Sequence, residues 1–202
     1  MKRLWVSGWA IPEEWFARQL RTHLPQDEHH IILPTASWFE GFKAQATSAD
    51  VIAGYSFGAF LLLQQDHDLK KLGIHVELYA PFLDFKAESN RGSNITLTQL
   101  KFLKRWLSRK PLDAINDFYK KSGLQITSPI EVPYPLEDLA WGLDQMIDTE
   151  VSVSLLSNYN PVIAGNYDEL INIDILRHVF NNLLSLDCNH SISDILTVKN
   201  GV

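Results

Sequence analysis

The sequence predicts an α/β fold, in which helices cover both faces of a doubly wound, mostly parallel sheet. Short apolar runs alternate along the chain with amphipathic stretches, and this alternation is typical of βαβ units. The chain has 202 residues, of which 46% are hydrophobic and 21% charged, as in one globular domain. Between about residues 84 and 135 the strand pattern lapses and only helical patterns occur. We therefore expect a single domain over residues 1–202, with a helical cap inserted at about 84–135.

About six strands follow from this alternation. Apolar runs predict strands at residues 4–6, 31–33, 51–53, 74–79, 162–165 and 184–186. Apolar residues at helical spacing predict helices at residues 13–24, 57–65, 97–106, 112–119 and 174–184, and a closing helix from about residue 193. The cap is inserted between two strands, so we expect it above the carboxyl ends of the strands, where doubly wound sheets bind ligands.

The net charge of −6 hides an uneven distribution. Residues 86–121 carry nine basic and three acidic side chains, whereas the rest of the chain carries 9 basic and 21 acidic ones. The acidic balance argues against a nucleic-acid-binding protein, because such proteins usually carry a basic excess. A basic cap on an acidic body suggests an acidic partner, and the alternative is a solvated helix face without one.

Cysteine content and hydropathy predict a cytoplasmic protein without a membrane partner. Cys188 is the only cysteine, so no intrachain disulfide can form and a reducing compartment is expected. The apolar stretch near the N-terminus is broken by Gly8 and Pro12, and no run approaches the roughly 18 apolar residues of a membrane span. His29 and His30 lack metal-ligand spacing, and no phosphate loop or dinucleotide fingerprint occurs, so neither a metal nor a cofactor is expected.

The segment Gly54-Tyr55-Ser56-Phe57-Gly58 carries the strongest chemical signal. It is a GxSxG motif between a predicted strand and a predicted helix, which is the context of a nucleophile elbow. Small residues two before and two after the serine let the strand and helix pack closely beneath an exposed hydroxyl. Ser56 is therefore the candidate nucleophile, and the alternative is a tight strand-to-helix turn with an incidental serine.

A serine nucleophile needs a histidine base and a carboxylate that orients the histidine, and after such an elbow the order along the chain is Ser, Asp, His. His190 lies in a polar loop after the last short strand, whereas the other six histidines lie within predicted elements or at their ends. Asp168 follows the strand at 162–165 and is the favoured acid. The alternatives are its neighbour Glu169, and Asp84, which follows the fourth strand.

An acyl transfer also needs two N–H donors for the developing oxyanion. We expect one from the backbone of Phe57, directly after the nucleophile. The other should come from the loop after the first strand, where Trp9 is favoured. Only the backbone of Trp9 would donate, so its indole can also pack in the core. We interpret Cys188, two residues before His190, as a small buried side chain rather than a second nucleophile.

Together these residues resemble the α/β-hydrolase superfamily over nearly the whole chain. Within it, the sequence resembles the pimeloyl-acyl-carrier-protein methyl ester esterases of biotin synthesis. The shared segments are Gly8-Trp9, residues 54–59, Tyr79-Ala80-Pro81-Phe82, Trp141-Gly142-Leu143 before Asp148, and Asn189-His190-Ser191. The sequence departs from the family in two ways. It starts at what corresponds to the family's third strand, so two N-terminal strands are missing, and Ser7 stands where a histidine commonly precedes Gly-Trp.

The resemblance implies a basic helical cap that binds an acidic acyl-carrier protein, with the acyl chain passing beneath the cap to the serine. Four basic residues recur at helical spacing and are the implied docking residues: Lys101, Lys104, Arg105 and Arg109. Substrate contacts are implied at four aromatic positions: Trp9, Phe102, Phe118 and Tyr119.

The expected function is thus that of a serine carboxylesterase acting on the methyl ester of pimeloyl-acyl-carrier protein. In the expected mechanism Ser56 attacks the ester carbonyl, His190 acts as the general base, and Asp168 fixes the tautomer of the imidazole. The alternatives are a thioesterase on the same carrier, a small-ester carboxylesterase, and a non-catalytic binding protein that keeps a hydrolase scaffold.

Overall fold

The computed structural model describes residues 1–126, 131–152 and 159–201. The strands in these ranges are β1 (Lys2–Val6), β2 (Glu28–Ile32), β3 (Val51–Tyr55), β4 (His75–Tyr79), β5 (Val162–Gly165) and β6 (Leu183–Leu186). They form one sheet in the order β2-β1-β3-β4-β5-β6, and every pairing is parallel. The six-stranded parallel sheet is the one that the alternation of apolar runs predicts.

Helices connect these strands. Those in the described ranges are α1 (Glu13–His23), α2 (Trp38–Ala46), α3 (Phe57–Gln64), α4 (Asp66–Leu72), α5 (Leu97–Arg109), α6 (Pro111–Lys121), α7 (Leu136–Asp148), α8 (Ile173–Val179) and α9 (Ile192–Lys199). In this part of the chain no helix is long and apolar enough to span a bilayer.

The direction of winding reverses between β1 and β3. The chain passes from β1 outward to β2, crosses back to β3 and then continues stepwise to β6. With right-handed crossovers this reversal puts α1 on one face of the sheet and α2 and α3 on the other. The carboxyl ends of β1 and β3 are neighbours, with Val6 opposite Gly54. The loops that begin at Ser7 and Ser56 therefore meet at the switch point, where such sheets bind ligands.

The strand and helix on either side of Ser56 are almost completely buried. All five residues of β3 are buried, and so are seven of the eight residues of α3. A strand covered on both faces reads as a continuous apolar run, and a helix that is apolar all round lies inside the core. Ser56 is thus fixed between two elements that have little room to move.

Several elements differ from the prediction, and helices α4 and α7 were not predicted. Strand β2 starts at Glu28 rather than at residue 31, because an edge strand with partly exposed side chains tolerates polar residues such as His29 and His30. Helix α2 was not predicted, although Trp38, Phe42 and Ala46 form its buried side. Helix α8 ends at Val179 instead of continuing to residue 184, since a turn at residues 181–182 separates it from β6. This turn consists of Asn181 and Asn182, and consecutive asparagines favour a turn. The helical spacing of the apolar residues around them predicted a continuous helix instead.

Helices α5, α6 and α7 lie between β4 and β5, and α5 packs against both of the others. These three helices and the described residues that connect them are called the cap below. Helix α5 begins with a capping box, in which the Thr96 side chain accepts from the N–H of Gln99 and the Gln99 side chain accepts from the N–H of Thr96. Helix α6 begins at Pro111, a favourable first position. Helix α7 starts just after the predicted end of the cap at about residue 135, and residues 127–130 of the predicted cap lie outside the described residues.

Candidate active site

Ser56 occupies a strained turn between β3 and α3. Its backbone has φ 53° and ψ −117°, a conformation that a residue with a side chain keeps only where its surroundings enforce it. The N–H of Ser56 donates to the carbonyl oxygen of Tyr79 at 2.8 Å, which extends the pairing of β3 and β4 by one residue. This bond and the buried elements on either side hold the turn, and Ser56 lies at the carboxyl end of β3.

The two glycines of the motif are required by close contact. A Cβ at Gly54 would lie 2.6 Å from the Cα of Ala59, and a Cβ at Gly58 would lie 2.1 Å from the carbonyl oxygen of Val6. Both distances are shorter than non-bonded contacts of a Cβ with carbon or oxygen permit. The glycines therefore let α3 start directly against β3 and β1, as the motif predicts.

Ser56, His190 and Asp168 form one hydrogen-bonded line. Nε2 of His190 lies 2.9 Å from Oγ of Ser56, and Nδ1 lies 2.6 Å from Oδ2 of Asp168. The three residues are 6%, 2% and 7% exposed in the order Ser56, His190, Asp168. In a neutral imidazole with its proton on Nδ1, that proton binds the carboxylate and Nε2 accepts from the serine hydroxyl. This arrangement can take the proton of Ser56 as Oγ attacks a carbonyl carbon.

The loop after β5 fixes the Asp168 carboxylate. Its Oδ1 accepts from the backbone N–H groups of Leu170 and Ile171, at 2.8 and 3.0 Å. These two bonds leave Oδ2 turned toward Nδ1 of His190. One carboxylate oxygen thus holds the loop and the other orients the histidine.

The two alternative acids lie elsewhere. Oδ1 of Asp84 accepts from Nζ of Lys86 at 2.8 Å and from the Lys86 backbone N–H at 2.9 Å. Its other oxygen is buried without a hydrogen-bond partner in the described residues. Glu169 is exposed on the loop. Among the described residues, Asp168 is the carboxylate that contacts the imidazole of His190.

Tyr55 positions His190, a role that the sequence analysis missed. Its hydroxyl donates to the carbonyl oxygen of His190 at 3.0 Å, and its ring lies 5.5 Å from the imidazole. Burial raises the pKa of Tyr55 well above its usual value, so the hydroxyl keeps the proton it donates. The available signal was a phenol in an otherwise apolar strand, because a buried tyrosine hydroxyl usually has a partner.

The cap holds the loop after β1 at three points. Ala10 has a left-handed φ of 58°, and its backbone N–H donates to the hydroxyl of Tyr134 at 2.8 Å. The hydroxyl of Tyr119 donates to the carbonyl oxygen of Ala10 at 2.6 Å. The indole Nε1 of Trp9 donates to the carbonyl oxygen of Leu139 in α7 at 2.9 Å. These contacts fix the loop that is predicted to supply one oxyanion donor.

Trp9 and Phe57, the predicted oxyanion donors, flank the same point of α7. A Cβ at Gly142 would lie 2.6 Å from Cδ1 of Trp9 and 3.2 Å from Cε1 of Phe57. Phe57 is the first residue of α3, so its N–H has no partner inside the helix, and a helix N-terminus favours negative charge. The assignment of both N–H groups to the oxyanion stays a prediction.

Tyr119, a predicted substrate contact, lies in the core and does not line the cavity described below. Tyr119 is 2% exposed, and its hydroxyl is bound to the loop after β1. The neighbouring residue Phe118 lies against Trp9 instead, with ring centroids 4.9 Å apart. Consecutive residues of a helix point in directions about 100° apart, so one of the two aromatic rings reaches the ligand side of α6 and the other reaches the core.

A cavity of about 400 Å³ lies among α5, α6, α7 and the loops after β1 and β5, and its lining does not include Ser56, His190 or Asp168. Trp9 from the loop after β1 and Leu170 from the acid loop form part of its wall. The remainder is mostly apolar and comes from α5, α6, α7 and the segment after β4: Phe85, Ile95, Leu100, Phe102, Leu103, Trp106, Phe118, Leu143 and Met146. The predicted substrate positions at Trp9, Phe102 and Phe118 all line it. Phe102 is 58% exposed, which places it at the mouth.

The four predicted docking residues do not share one environment. Lys101, Arg105 and Arg109 are exposed along α5. Lys104 instead pairs with Asp144 and so joins α5 to α7. Its charge is used within the cap, and three basic residues are left on the outer side of α5.

Other reactive groups do not compete with this site. Burial raises the pKa of the Cys188 thiol to about 11, so the thiol is neutral near pH 7 and a poor nucleophile. The described residues contain no group of three or more histidine, cysteine, aspartate or glutamate side chains that could hold a metal ion.

Ser7 allows a prediction about stability. Its hydroxyl is fully buried and has no hydrogen-bond partner in the described part of the chain. An unsatisfied buried hydroxyl costs free energy, so we expect Ser7→Ala to raise the free energy of unfolding by about 1 kcal/mol and Tm by roughly 2–4 °C. Thermal denaturation followed by circular dichroism measures this.

The control for Ser7→Ala is Ser93→Ala. The Ser93 hydroxyl is also buried, but it donates to the carbonyl oxygen of Leu170 at 3.2 Å and accepts from the N–H of Ile95 at 3.0 Å. Removal of this hydroxyl should lower Tm. A lower Tm for both variants would show that the Ser7 hydroxyl is satisfied.

The structure is similar to solved structures of hydrolases. A hydrolase from Oleispira antarctica superposes with a TM-score of 0.64 at 12% identity, covering 97% of this chain and 84% of that one. An N-formylmaleamic acid deformylase from Pseudomonas putida gives 0.62 at 10% identity, covering 96% and 87%. The protein has the α/β-hydrolase fold.

A thioesterase from the prodiginine pathway of Streptomyces coelicolor is also structurally similar to this chain. Its TM-score is 0.54 at 10% identity, covering 96% of this chain and 80% of that one. No protein-family model matches the sequence, and no curated protein does. The predicted α/β-hydrolase fold is thus confirmed by structural similarity. At these low sequence identities the similarity is evidence for the fold alone.

Proposed function

We propose that this α/β-hydrolase-fold protein is a serine carboxylesterase. The observation that carries the proposal is the line from Asp168 through His190 to Ser56, which starts at a strained strand-to-helix turn. Oγ of Ser56 attacks the ester carbonyl while His190 takes its proton. The N–H groups of Trp9 and Phe57 stabilise the oxyanion.

The second half of the cycle uses the same residues. Nε2 of His190 returns its proton to the departing alcohol, and the acyl group stays on Ser56 as an ester. Water, deprotonated by His190, then attacks this acyl-enzyme, and the collapse of the second tetrahedral intermediate releases the carboxylic acid and the Ser56 hydroxyl. Asp168 keeps the imidazole in the required tautomer throughout. No metal or cofactor takes part in these steps.

The proposed substrate is the methyl ester of pimeloyl-acyl-carrier protein, an intermediate in biotin precursor synthesis. The apolar cavity beneath the cap suits an acyl chain, since ligand sites of about 300–1,000 Å³ are typically lined by apolar and aromatic residues. The exposed side of α5 carries Lys101, Arg105 and Arg109 close to Phe102 at the cavity mouth. An acidic carrier bound there would present its acyl chain directly to the cavity.

A direct assay tests this proposal. The purified protein is incubated with methyl-pimeloyl-acyl-carrier protein, and the mass of the carrier is then measured by mass spectrometry. We expect a carrier that keeps its acyl chain but has lost the methyl group. Release of the free carrier thiol would instead identify a thioesterase, and hydrolysis of free methyl esters alone would identify a small-ester carboxylesterase. Complementation of a biotin-auxotrophic strain lacking its own esterase tests the pathway.

Charge reversal on α5 tests the carrier surface. We expect the double variant Arg105→Glu/Arg109→Glu to lower kcat/KM for the carrier-linked ester about tenfold, because opposite charges across an interface mainly speed association. A free methyl ester of the same acyl chain should be hydrolysed at the unchanged rate. Equal losses on the two substrates would show that α5 does not dock the carrier.

The matched control for this experiment is Arg18→Glu/Arg21→Glu. These arginines are also exposed and about one helical turn apart, but they lie on α1, whose main packing partners are α9 and β2. The net charge changes equally in the two double variants. A carrier-specific loss in the α5 variant alone therefore measures docking and not overall charge.

A further inference from the structure

The segment just before α5 is paired with the loop after β5, which carries Asp168. The backbone N–H of Asn94 donates to the carbonyl oxygen of Leu170 at 2.9 Å. The backbone N–H of Asn172 donates in the other direction, to the carbonyl oxygen of Gly92 at 3.1 Å. Two distant segments of the chain thus run side by side next to the candidate catalytic acid.

The side chain of Asn94 adds three bonds to the same loop. Its Nδ2 donates to the carbonyl oxygens of Ile171 at 3.2 Å and Glu169 at 3.4 Å. Its Oδ1 accepts from Nδ2 of Asn172 at 3.1 Å. Together with its backbone N–H, Asn94 therefore binds each of the four residues that follow Asp168.

The peptide groups that bind Asp168 are the ones that Asn94 holds. The N–H groups of Leu170 and Ile171 donate to Oδ1 of Asp168. The carbonyl oxygens of those same two peptide groups belong to Glu169 and Leu170, and both accept from Asn94. A trans peptide group is planar, and its N–H and C=O point in opposite directions. Asn94 therefore fixes each group on the side opposite the carboxylate.

We infer that Asn94 is a positioning residue for the candidate catalytic acid. It fixes the two peptide groups that hold Oδ1 of Asp168, so Oδ2 stays directed at Nδ1 of His190. Asn94 is exposed and does not line the apolar cavity, so it acts through Asp168 and not by contact with the substrate. The inference rests on the proposed esterase activity and adds a residue on which the geometry of the catalytic line depends.

A double-mutant cycle with a short p-nitrophenyl ester tests this role. Asn94→Ala removes the side-chain bonds and keeps the backbone N–H, so we expect kcat to fall about tenfold, as a small misplacement of a catalytic group requires. In an Asp168→Ala background the same change should lower kcat less than about twofold, because no carboxylate is left to position. KM should stay within about threefold in both backgrounds, since Asn94 does not line the cavity.

A second variant keeps the size of the side chain. Asn94→Asp places an oxygen where Nδ2 faces two carbonyl oxygens, so both donated bonds are lost. We expect this variant to lower kcat at least as much as Asn94→Ala does. The Tm of each variant is measured by circular dichroism, and the rates are compared at a temperature at which every variant is folded.

The matched control is Asn182→Ala. Asn182 is also an exposed asparagine whose Nδ2 donates to a loop carbonyl, that of Tyr159. Tyr159 precedes β5, whereas Asp168 follows it, so this bond lies at the opposite end of the strand from the candidate acid. The kcat of Asn182→Ala should stay within about twofold of the native value.

Three results would overturn the inference. They are an unchanged kcat in Asn94→Ala, an equal loss in the native and Asp168→Ala backgrounds, and an equal loss in Asn182→Ala. In each case hydrolysis that depends on Ser56 still upholds the esterase. Absence of hydrolysis by the native protein, with Ser56 unreactive toward a fluorophosphonate, would overturn both proposals.

Discussion

Replacement of Ser56 by alanine is expected to lower kcat for a short p-nitrophenyl ester by about five to six orders of magnitude. The variant keeps the general base but has no oxygen to form the acyl-enzyme. Labelling by a fluorophosphonate probe should also disappear, because the probe reacts with the serine oxygen that His190 activates. Mass spectrometry of the intact protein measures this loss directly.

The fold should survive this change. Ser56 contributes one hydroxyl to its surroundings, and β3 and α3 hold the turn through backbone contacts. We expect the Tm of Ser56→Ala to stay within about 2 °C of the native value, a shift typical of less than 1 kcal/mol in a chain of this size. Ser108→Ala, which removes an exposed hydroxyl on α5, is the control and should keep full activity. Hydrolysis at the native rate by Ser56→Ala would refute the mechanism.

Asp168→Asn is expected to lower kcat by about 10³–10⁴-fold with the fold intact. The N–H groups of Leu170 and Ile171 would select the amide oxygen at the position of Oδ1, which turns the amide NH₂ toward Nδ1 of His190. Nδ1 must then accept, so the imidazole proton moves to Nε2. A protonated Nε2 cannot take the proton of Ser56.

Two measurements separate this effect from a general loss of structure. The ¹⁵N chemical shifts of the His190 ring report the tautomer and should exchange their assignments in Asp168→Asn. Asp84→Asn is the matched control, since Asp84 is also a buried aspartate that follows a strand but is paired with Lys86. Its kcat should stay within about twofold of native. A larger loss in Asp84→Asn than in Asp168→Asn would make Asp84 the functional acid.

Local and ordered features of the site could be predicted from the sequence. The elbow at Ser56 is encoded within five consecutive residues, because two glycines and a strand-to-helix transition suffice to specify it. His190 and Asp168 followed from their places after strands, since parallel strands bring their carboxyl ends to one edge. The sheet was predictable for the same reason, as its buried strands are continuous apolar runs.

Contacts between distant elements could not be predicted. Tyr134 and Ala10 are 124 residues apart, and no local pattern pairs them. The ion pair of Lys104 with Asp144 likewise depends on how α5 packs against α7. The spacing along α5 alone therefore predicted the same docking role for Lys104 as for the exposed residues Lys101, Arg105 and Arg109. Tyr119 and Phe118 are adjacent aromatic residues, and only the packing of α6 shows which one reaches the ligand side.

The attachment of the cap to the loop after β1 limits how a substrate can enter. Tyr119, Tyr134 and the carbonyl of Leu139 hold Ala10 and Trp9, so an outward swing of the cap would break these bonds and displace Trp9, the predicted oxyanion donor. If the cap opened like a hinged lid, each opening would thus move the predicted oxyanion donor out of place. The acyl chain of the proposed substrate would instead enter lengthwise past Phe102 at the mouth of the cavity.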